Sequence, residues 1–338
     1  MSSQKVTVIV PSNIDVSPIE EELAGLEYDL QVSVCESDGE IIEAVKDADV
    51  IVSVGPGFPR SVIEQIDKAA AIVMIGHGFN QIDDVAATEK GIMVANTAGF
   101  VTEEVANHTI MFILACAKKM AVLHQDTRNG VWNSAIKAQM DTLPPIYGQV
   151  LGLIGFGNIA RAIVNRAKPF GLEVIMHDPY TPPWIAKEYR VEQVSNIEEV
   201  ASQSDYVSIH VPLNDETQHF IGRSFFKAMK STAYLINVSR GPIVDEHALV
   251  KALENNEIAG AGLDVFEEEP IPENNPLLKM NNVLVTPHSA GASSESFTSG
   301  LASAGQETAR IIQGMWPMSL VNPDVKLRIP DRNTAIKL

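Results

Sequence analysis

A glycine-rich turn near the middle of the chain limits the fold more than any other feature. Residues 150–160 read Val-Leu-Gly-Leu-Ile-Gly-Phe-Gly-Asn-Ile-Ala, an apolar run that breaks at Gly155 and Gly157 before a helical stretch extends to about Phe170. Gly155 permits a tight turn, Gly157 lets the backbone approach a pyrophosphate, and Ala160 is small enough for close helix–strand packing. The N–H groups that open the helix favour phosphate. This is the G-x-G-x-x-G/A dinucleotide-binding pattern in the strand–turn–helix context that it requires.

An acidic residue follows the next strand at a suitable spacing. The stretch Glu173–His177 predicts a second strand, and Asp178 follows it, 21 residues after Gly157. In dinucleotide-binding folds an acid about 20 residues beyond the glycines bonds the ribose hydroxyls of the adenosine. The same carboxylate would repel a 2′-phosphate, which favours NAD over NADP. The alternative is that Asp178 only starts a turn before Pro179.

Composition narrows the class of protein. With 338 residues the chain is long enough for two domains. It carries 25 Lys and Arg against 43 Asp and Glu, a net charge of −18. This excess of acid disfavours non-specific binding to nucleic acid or to an anionic membrane. An anionic substrate would therefore have to be held by locally placed cations.

Neither the cysteines nor the hydropathy pattern indicates a metal site or membrane insertion. Cys35 and Cys116 form no metal or redox spacing, and we expect both to be small buried hydrophobic residues. The apolar run near the N-terminus is too short for a signal peptide. No segment reaches the length of about 18 uninterrupted apolar residues that a membrane span needs. We expect a cytoplasmic enzyme.

Strand-like and helix-like stretches alternate on both sides of the glycine turn. This alternation predicts two α/β domains, each a parallel sheet with helices on both faces. We expect Ser17 and Thr102 to cap helices, and the apolar stretch Ile110–Ala115 of the second of these helices to be buried. Residues 129–149 are predicted to be irregular, and the polar tail past Val321 is predicted to be a loose extension.

Two glycine-containing loops follow strands in the first hundred residues. They are Gly55-Pro56-Gly57-Phe58 and Gly76-His77-Gly78-Phe79-Asn80. Parallel α/β sheets bind ligands beyond the carboxyl ends of their strands. The glycines leave backbone N–H groups open to a carboxylate, and Asn80 offers a further donor. Turn chemistry alone is the alternative explanation for His77 and Asn80.

Three residues at or after strand ends are candidates for the chemistry. Arg240, in Asn-Val-Ser-Arg-Gly, offers a rigid donor fork that suits a carboxylate. His288, in Thr-Pro-His, can exchange a proton near neutral pH. Glu269, directly before Pro270, would favour the imidazolium if it pairs with His288. Taken singly, each residue has an ordinary alternative explanation. Arg240 could form a surface ion pair, His288 could be a packed histidine, and Glu269 could be one acid in a run of three. His108 is interpreted as a hydrogen-bonded core histidine.

Six segments together resemble the D-isomer-specific 2-hydroxyacid dehydrogenase family, and the likeness extends from about Val50 to Val325. They are Gly152–Ala160, His177–Tyr180, His210–Leu213, Leu235–Asp245, Gly262–Pro270 and Val283–Gly291.

The resemblance implies two Rossmann-like, doubly wound parallel-sheet domains with a cleft between them that holds the substrate. A substrate-binding domain, residues 1–101 plus 291–338, would be interrupted by an NAD-binding domain, residues 102–290. Homodimers formed through the NAD-binding domain would be usual for such a protein.

The resemblance also implies roles for the candidate residues. Arg240 would bind the substrate carboxylate and carbonyl, and Glu269 would pair with His288, the acid and base of a reversible hydride transfer between NAD(H) and a 2-keto or 2-hydroxy acid. Asp264 would lie by the nicotinamide carboxamide. The predicted substrate contacts are Gly76, His77, Gly78, Asn80, Arg240 and His288. The predicted NAD contacts are Gly155, Gly157, Asn158, Ile159, Asp178, His210, Val211, Pro212, Thr217, Val238, Ser239, Arg240, Asp264 and His288.

The substrate is predicted only as a class. The loop that begins at Gly78 is similar to that of phosphoglycerate dehydrogenases, but the position where those enzymes often carry an Arg falls near Gly55, and Arg60 is expected to lie in the next helix. We therefore favour a small unphosphorylated acid such as glyoxylate or hydroxypyruvate, with D-3-phosphoglycerate as the alternative. A corepressor-like protein that senses NAD is an alternative of another class, and the chain has no long Pro/Ser-rich tail that would support it.

Overall fold

The computed structural model of the protein describes residues 3–327. The chain divides into two compact α/β units. The first contains Met1–Val101 and Ser293–Leu338, and the second contains Thr102–Ala292. All strand pairs in both units are parallel, apart from isolated bridges. The predicted fold class, two parallel-sheet α/β domains, is confirmed.

The strands and helices follow in chain order. The strands are β1 Gln4–Val10, β2 Tyr28–Val34, β3 Val50–Ser53, β4 Ala71–Met74, β5 Met93–Asn96, β6 Val150–Ile154, β7 Glu173–His177, β8 Glu192–Gln193, β9 Tyr206–Ile209, β10 Tyr234–Asn237, β11 Gly260–Leu263 and β12 Val283–Val285. The helices are α1 Ser17–Glu22, α2 Asp38–Val45, α3 Arg60–Ile63, α4 Asp84–Glu89, α5 Thr102–Ala117, α6 Met120–Arg128, α7 Ser134–Met140, α8 Asn158–Ala167, α9 Pro183–Tyr189, α10 Ile197–Gln203, α11 Arg223–Ala228, α12 Glu246–Glu254 and α13 Ser296–Ile312.

The first unit is a five-stranded sheet of order β2-β1-β3-β4-β5. Strands β3, β4 and β5 are buried on both sides, because helices cover both faces of a parallel sheet, whereas the edge strand β2 is partly exposed. In β1, Val8 and Val10 lie in one hydrophobic cluster with residues of α1 and α13, whereas Ile9 lies in a second cluster with residues of α2, α3 and α4. The alternation of side chains along a strand therefore builds a separate core on each face.

The second unit is a seven-stranded sheet of order β12-β11-β10-β9-β6-β7-β8. The chain runs outward from β6 to β8, then returns to β9 on the other side of β6 and runs outward again. The strand order therefore reverses between β6 and β9. Ligands of open α/β sheets bind beyond the carboxyl ends of the strands at such a switch point. The glycine turn that follows β6 lies there.

The region predicted to be irregular contains a helix, so this prediction was wrong. Residues 134–140 form α7, and the Asn133 side chain caps it by accepting hydrogen bonds from the N–H groups of Ala135 at 3.0 Å and Ile136 at 3.3 Å. Asparagine is a strong N-cap residue. The neighbouring Gly130 and Pro144 concealed this signal in the sequence.

Two predicted helix caps are absent. The first helix begins at Ser17 itself, so its N-cap residue is Val16, which makes no side-chain cap bond, and the Ser17 N–H donates instead to Asp15 Oδ1 at 2.9 Å. The Thr102 hydroxyl is buried and has no hydrogen-bond partner within residues 3–327. The predicted burial of Ile110–Ala115 in helix α5 holds only in part: Ile110, Phe112 and Ile113 are buried, whereas Met111 is exposed.

No single helix within residues 3–327 is long and apolar enough to cross a membrane. The pair α5 and α6 meets the length and composition requirement only jointly, and it is bent by 63°.

The segment directly after Val321 is anchored, which corrects the prediction of a loose extension. Asn322 is buried, and its side chain accepts from the Val94 N–H at 2.8 Å and donates to Ile92 O at 2.9 Å and Thr88 Oγ1 at 2.9 Å. Val325 and Leu327 join the core of the first unit. The rest of the predicted extension, residues 328–338, lies outside the described residues.

Replacing Asn322 with Ala is expected to destabilise the first unit by about 2–3 kcal/mol, because a buried N–H and a buried carbonyl lose their partner. Urea unfolding followed by circular dichroism measures this loss. The exposed Asn13, changed to Ala, is the control and should alter the free energy of unfolding by less than about 0.5 kcal/mol. Equal stability of the two variants would show that the segment is not anchored by Asn322.

Candidate active site

The turn after β6 requires glycine at its first position. Gly155 has φ +87°, a left-handed conformation. A Cβ atom there would lie 2.6 Å from the His210 carbonyl oxygen and 2.9 Å from Val211 Cγ1. The turn and the end of β9 therefore touch backbone to backbone, which no other residue would permit.

The second glycine of the turn faces open space. A Cβ atom at Gly157 would meet no atom within 4 Å. Gly157 is also the N-cap residue of α8 and has no side chain with which to cap the first N–H groups of this helix. Asn158 and Ile159 lie in the first turn, where N–H groups have no intrahelical acceptor. An open approach beside unpaired N–H groups at a helix N-terminus fits a pyrophosphate.

Asp178 lies directly beside this turn. Its Oδ2 accepts from the Phe156 N–H at 2.8 Å, and its Oδ1 accepts from the N–H groups of Tyr180 at 2.8 Å and Thr181 at 3.1 Å. The acid therefore starts a turn and also holds the glycine loop. An ionised carboxylate has about four acceptor sites, so capacity remains for ribose hydroxyls. A cavity of about 560 Å³, lined in part by His177, Asp178 and Pro179, opens beside it.

The segment after β9 is held mainly by its own hydrogen bonds. His210 Nε2 lies 2.8 Å from Ser208 Oγ, and burial holds the pKa of His210 well below its ordinary value, so the imidazole is neutral at pH 7. Thr217 Oγ1 donates to Pro212 O at 2.7 Å. These bonds fix the backbone that faces Gly155. The predicted contacts of His210, Val211, Pro212 and Thr217 with NAD stay predictions.

A buried asparagine shapes the turn that presents Arg240. The Asn237 side chain accepts from the Ser239 N–H at 3.1 Å and donates to Arg240 O at 2.9 Å. The Ser239 hydroxyl donates to Val211 O, which ties the turn to the end of β9. Val238 between them is buried. Sequence reasoning did not assign Asn237 a role, although its place before Val-Ser-Arg was a signal for it.

Arg240 lies in an environment that suits an anion. Its Nη1 donates to Ser239 O at 2.7 Å. Burial lowers the pKa of the Arg240 guanidinium, and the Glu269 carboxylate acts in the opposite direction. The group stays charged because arginine has a very high intrinsic pKa. A partly buried guanidinium can therefore bind a carboxylate with little competition from water.

The predicted contact between the side chains of His288 and Glu269 is present. His288 Nδ1 lies 2.7 Å from Glu269 Oε2, and the other carboxylate oxygen accepts from the Phe266 N–H at 3.0 Å. The side chains of His288 and Glu269 are 49% and 35% exposed. The pair therefore leaves His288 Nε2 accessible for proton exchange. The structure brings Arg240, Glu269 and His288 together within the second unit, a convergence that spacing alone could not establish.

Asp264 is engaged by the turn that carries His288. It is fully buried, and its carboxylate accepts from the N–H groups of Ser289 and Ala290, each at 2.8 Å, and from the Thr286 hydroxyl. The His288 N–H donates to Asp264 O at 2.8 Å. These bonds hold His288 at φ 49°, which is costly for a residue other than glycine. The predicted contact of Asp264 with nicotinamide stays a prediction.

His108 completes this network from α5. Its Nε2 lies 3.1 Å from Thr286 Oγ1, and its ring meets Phe112 edge-on at 4.6 Å between centroids. Burial lowers the pKa of His108, and the charge of Asp264 opposes this shift. The interpretation as a hydrogen-bonded core histidine agrees with these contacts. Sequence reasoning missed Thr286, which links His108 to Asp264.

The second predicted binding loop lies in the first unit. The Gly76 N–H donates to Thr97 Oγ1 at 2.9 Å, and His77 O accepts from the Asn96 side chain at 2.7 Å. The Gly76 N–H is therefore already bonded. The Gly78 N–H donates to no backbone carbonyl within residues 3–327. Gly78 is thus a better candidate than Gly76 for binding a carboxylate, and Asn80 stays a candidate side chain.

Both cysteines are buried, as expected, and burial raises the pKa of Cys116 to about 12. Within residues 3–327 no group of three or more potential ligands is placed to hold a metal ion.

Comparison with known proteins identifies the family. Residues 110–290 match the model of the D-isomer specific 2-hydroxyacid dehydrogenase, NAD binding domain. The chain belongs to this family. It is an oxidoreductase that acts on CH–OH groups with NAD.

Relatives extend the match over most of the chain. A glyoxylate reductase of Korarchaeum cryptofilum is 40% identical over 86% of this chain and 88% of its own. A D-3-phosphoglycerate dehydrogenase of Methanocaldococcus jannaschii is 36% identical over 94% of this chain but only 59% of its own. The solved structure of a glyoxylate reductase from Paecilomyes thermophila has a TM-score of 0.84 at 27% identity, with 95% of this chain and 99% of the other covered.

The two glycines of the turn should respond differently to alanine. Gly155→Ala is expected to lower both stability and NADH affinity, because the added Cβ meets the His210 carbonyl. Gly157→Ala is expected to keep the melting temperature within about 2 °C but to weaken NADH binding at least about 10-fold, since the new methyl group lies where the pyrophosphate approaches. Thermal unfolding and NADH fluorescence titration measure these quantities. Tight NADH binding by Gly157→Ala would contradict the proposed phosphate position.

Proposed function

We propose that the protein reversibly reduces a small unphosphorylated 2-keto acid with NADH. The observation that carries this proposal is the His288–Glu269 pair at 2.7 Å, in the same unit as Arg240 and the glycine turn. A histidine paired with a carboxylate can donate and recover a proton near neutral pH. A nearby guanidinium supplies the matching contact for a carboxylate.

Each residue has a defined part in this chemistry. Arg240 binds the substrate carboxylate through its donor fork. His288, protonated and stabilised by Glu269, donates the proton from Nε2 to the oxygen of the keto group. In the oxidative direction the neutral imidazole removes the hydroxyl proton. Bound NADH supplies the hydride that the carbonyl carbon receives.

The cofactor contacts follow from the fit described above. The N–H groups of Asn158 and Ile159 would hold the pyrophosphate beside Gly157. The Asp178 carboxylate would accept hydrogen bonds from the hydroxyls of the adenosine ribose. Asp178 also disfavours the 2′-phosphate of NADP by charge repulsion. The remaining predicted contacts are Gly155, His210, Val211, Pro212, Thr217, Val238, Ser239 and Asp264.

The distribution of cations supports an unphosphorylated substrate. The loops that follow β1 to β5 contain no Lys or Arg. The nearest cation in sequence, Arg60, pairs with Glu89 at 2.8 Å and Asp83 at 3.3 Å. A phosphate dianion would therefore find no uncommitted positive group on these loops. Both the substrate-binding role of the first unit and the contacts of Gly76, His77, Gly78 and Asn80 are part of this proposal.

Phosphohydroxypyruvate is the second candidate substrate. It is favoured by the 36% identity with the dehydrogenase of Methanocaldococcus jannaschii, whose name states that it acts on D-3-phosphoglycerate. The glyoxylate reductase of Korarchaeum cryptofilum, at 40% identity, favours the smaller acid.

A panel of keto acids tests the proposal. NADH oxidation is followed with glyoxylate, hydroxypyruvate, pyruvate, 2-ketoisocaproate and phosphohydroxypyruvate. We expect turnover on an unphosphorylated acid, reduced about 10²–10⁴-fold by His288→Asn. Asparagine tolerates the left-handed backbone of this position, so the loss would report the missing imidazole rather than a collapsed turn. His247→Gln, on the exposed side of α12, is the control and should retain activity.

The outcomes separate the candidates. Turnover on phosphohydroxypyruvate alone would overturn the substrate class but keep the mechanism. Undiminished turnover by His288→Asn would overturn the mechanism. Tight NADH binding without turnover on any acid would favour the alternative function, a corepressor-like protein that senses NAD.

We also propose that the protein is a homodimer formed through the second unit. Helix α6 has no buried residue. Large apolar side chains stand exposed on α6 and around it, among them Met120, Trp132 and Met140. We interpret these side chains as parts of one interaction surface, which a contiguous exposed apolar patch would mark. The cytoplasmic location stays a prediction.

Sedimentation equilibrium tests the dimer. The wild-type protein is expected at twice the monomer mass, and Trp132→Glu is expected to shift it toward the monomer, because a charge would be buried in the interface. Trp184→Glu, on an exposed position of α9, is the control. A monomeric wild-type protein would contradict the proposal.

A further inference from the structure

The turn that carries Arg240 and the loop that carries Glu269 touch through their backbones. A Cβ atom at Gly241 would lie 1.8 Å from Phe266 O and 2.6 Å from Glu267 N. No side chain can separate the two segments at this point. Any shift of the 266–269 segment therefore changes its distance from the Arg240 turn.

His219 bonds both segments from a third loop. Its backbone N–H donates to Pro242 O at 2.8 Å, on the Arg240 side. Its ring Nε2 lies 2.7 Å from Glu267 Oε1, on the Glu269 side. The residue has φ 53°, a left-handed conformation that tertiary contacts must hold. His219 is thus a bridge between the two segments.

Glu267 is held in turn by the start of α12. The Glu246 N–H donates to Glu267 Oε1 at 3.1 Å, and the Glu267 N–H donates to Glu246 Oε2 at 3.2 Å. The Asn275 side chain donates to Glu246 Oε1 at 2.7 Å. Each of the two carboxylates therefore accepts from the backbone N–H of the other residue, and the His219 ring is a further partner of Glu267. Within residues 3–327, Glu267 forms its one side-chain ion pair with His219.

Two hydrogen bonds connect the segment that His219 holds to His288. Phe266, whose carbonyl faces Gly241, donates its N–H to Glu269 Oε1 at 3.0 Å. Glu269 Oε2 in turn holds His288 Nδ1 at 2.7 Å. A displacement of about 1 Å at a catalytic group can lower the rate about 10²-fold. Loss of the bond to Glu267 would therefore act on Glu269 and His288 without touching the substrate.

We propose that His219, through Glu267, is a positioning residue that keeps the Arg240 turn and the Glu269–His288 pair in register. This inference rests on the proposed function of these three residues. The alternative is a surface ion pair without consequence, which the exposure of the His219 and Glu267 side chains, 47% and 35%, permits. The two alternatives differ in what substitution does to turnover.

Variants can remove the bond and leave the fold intact. His219→Asn keeps a residue that tolerates the left-handed backbone and keeps the N–H to Pro242, but its side chain is too short to reach Glu267. Glu267→Gln removes the charge at nearly constant volume. Lys251→Gln is the matched control, because Lys251 and Glu254 form an ion pair of similar length, 2.9 Å, in the same unit.

Turnover of the intact protein is the first measurement. We expect each single variant to lower kcat/KM for the keto acid about 10-fold and the double variant to lower it no further, because both break one bond. The Kd for NADH and the urea midpoint should stay at wild-type values. Lys251→Gln should retain full activity.

The value of kcat, referred to the concentration of NADH-binding sites, separates positioning from a loss of folded protein. We expect each variant to lower this kcat more than it changes the KM for the keto acid, because Glu269 and His288 act in the proposed proton transfer. Lys251→Gln should change neither quantity.

Hydrogen exchange gives a readout that does not depend on turnover. Loosening of the bridge should speed exchange of the Phe266 N–H, within a peptide covering residues 262–270, in His219→Asn but not in Lys251→Gln. Wild-type exchange together with wild-type kcat/KM would overturn the proposal. A wild-type protein without turnover would defeat the proposed function, and the exchange rates would then still decide whether His219 fixes this loop.

Discussion

The buried carboxylate of Asp264 is the interaction on which the rest of the candidate site depends. It accepts from the Ser289 and Ala290 N–H groups and the Thr286 hydroxyl, and so holds the turn on which His288 takes a left-handed backbone. A carboxylate without these partners would not be tolerated at such depth, and without the carboxylate the turn would keep its backbone bonds but lose those of Thr286, Ser289 and Ala290. His108 extends the same network into α5. The half-exposed imidazole of His288 is therefore carried by a turn that a buried, hydrogen-bonded carboxylate holds.

Parallel sheet geometry explains why distant residues meet. The carboxyl ends of β6, β7, β9, β10, β11 and β12 lie along one edge, so the residues that follow them converge although Gly155 and His288 are 133 positions apart. Glycine controls how closely the segments approach: Gly155 admits the end of β9, and Gly241 admits the loop that leads to Glu269. Side-chain bonds such as Ser239 to Val211 and His219 to Glu267 then fix each segment against its neighbour. The site is thus held by contacts between loops as much as by the strands.

Much of this arrangement could be predicted from local patterns. The apolar runs identified the long strands, and the glycine spacing with Asp178 identified the dinucleotide turn, because each depends on residues close in sequence. Errors arose where tertiary contacts override local signals. The Asn133 cap of α7 was overlooked because Gly130 and Pro144 nearby indicate irregular structure. The polar segment after Val321 is held by Asn322, whose partners lie more than 220 residues away in sequence. His219 was missed because a histidine in a polar turn has no pattern that marks it.

The sequence by itself determined the α/β class, the dinucleotide turn and the candidate chemistry of Arg240, Glu269 and His288, because these follow from the spacing and chemical nature of neighbouring residues. Only the tertiary structure decided that Glu269 bonds His288 and that the Gly76 N–H is already bonded to Thr97. It also decided that the Asp264 carboxylate accepts hydrogen bonds from the turn that carries His288. The physical reason is that a hydrogen bond depends on a few tenths of an ångström between atoms brought together by the whole sheet. Local sequence patterns specify elements, whereas the packing of those elements specifies distances.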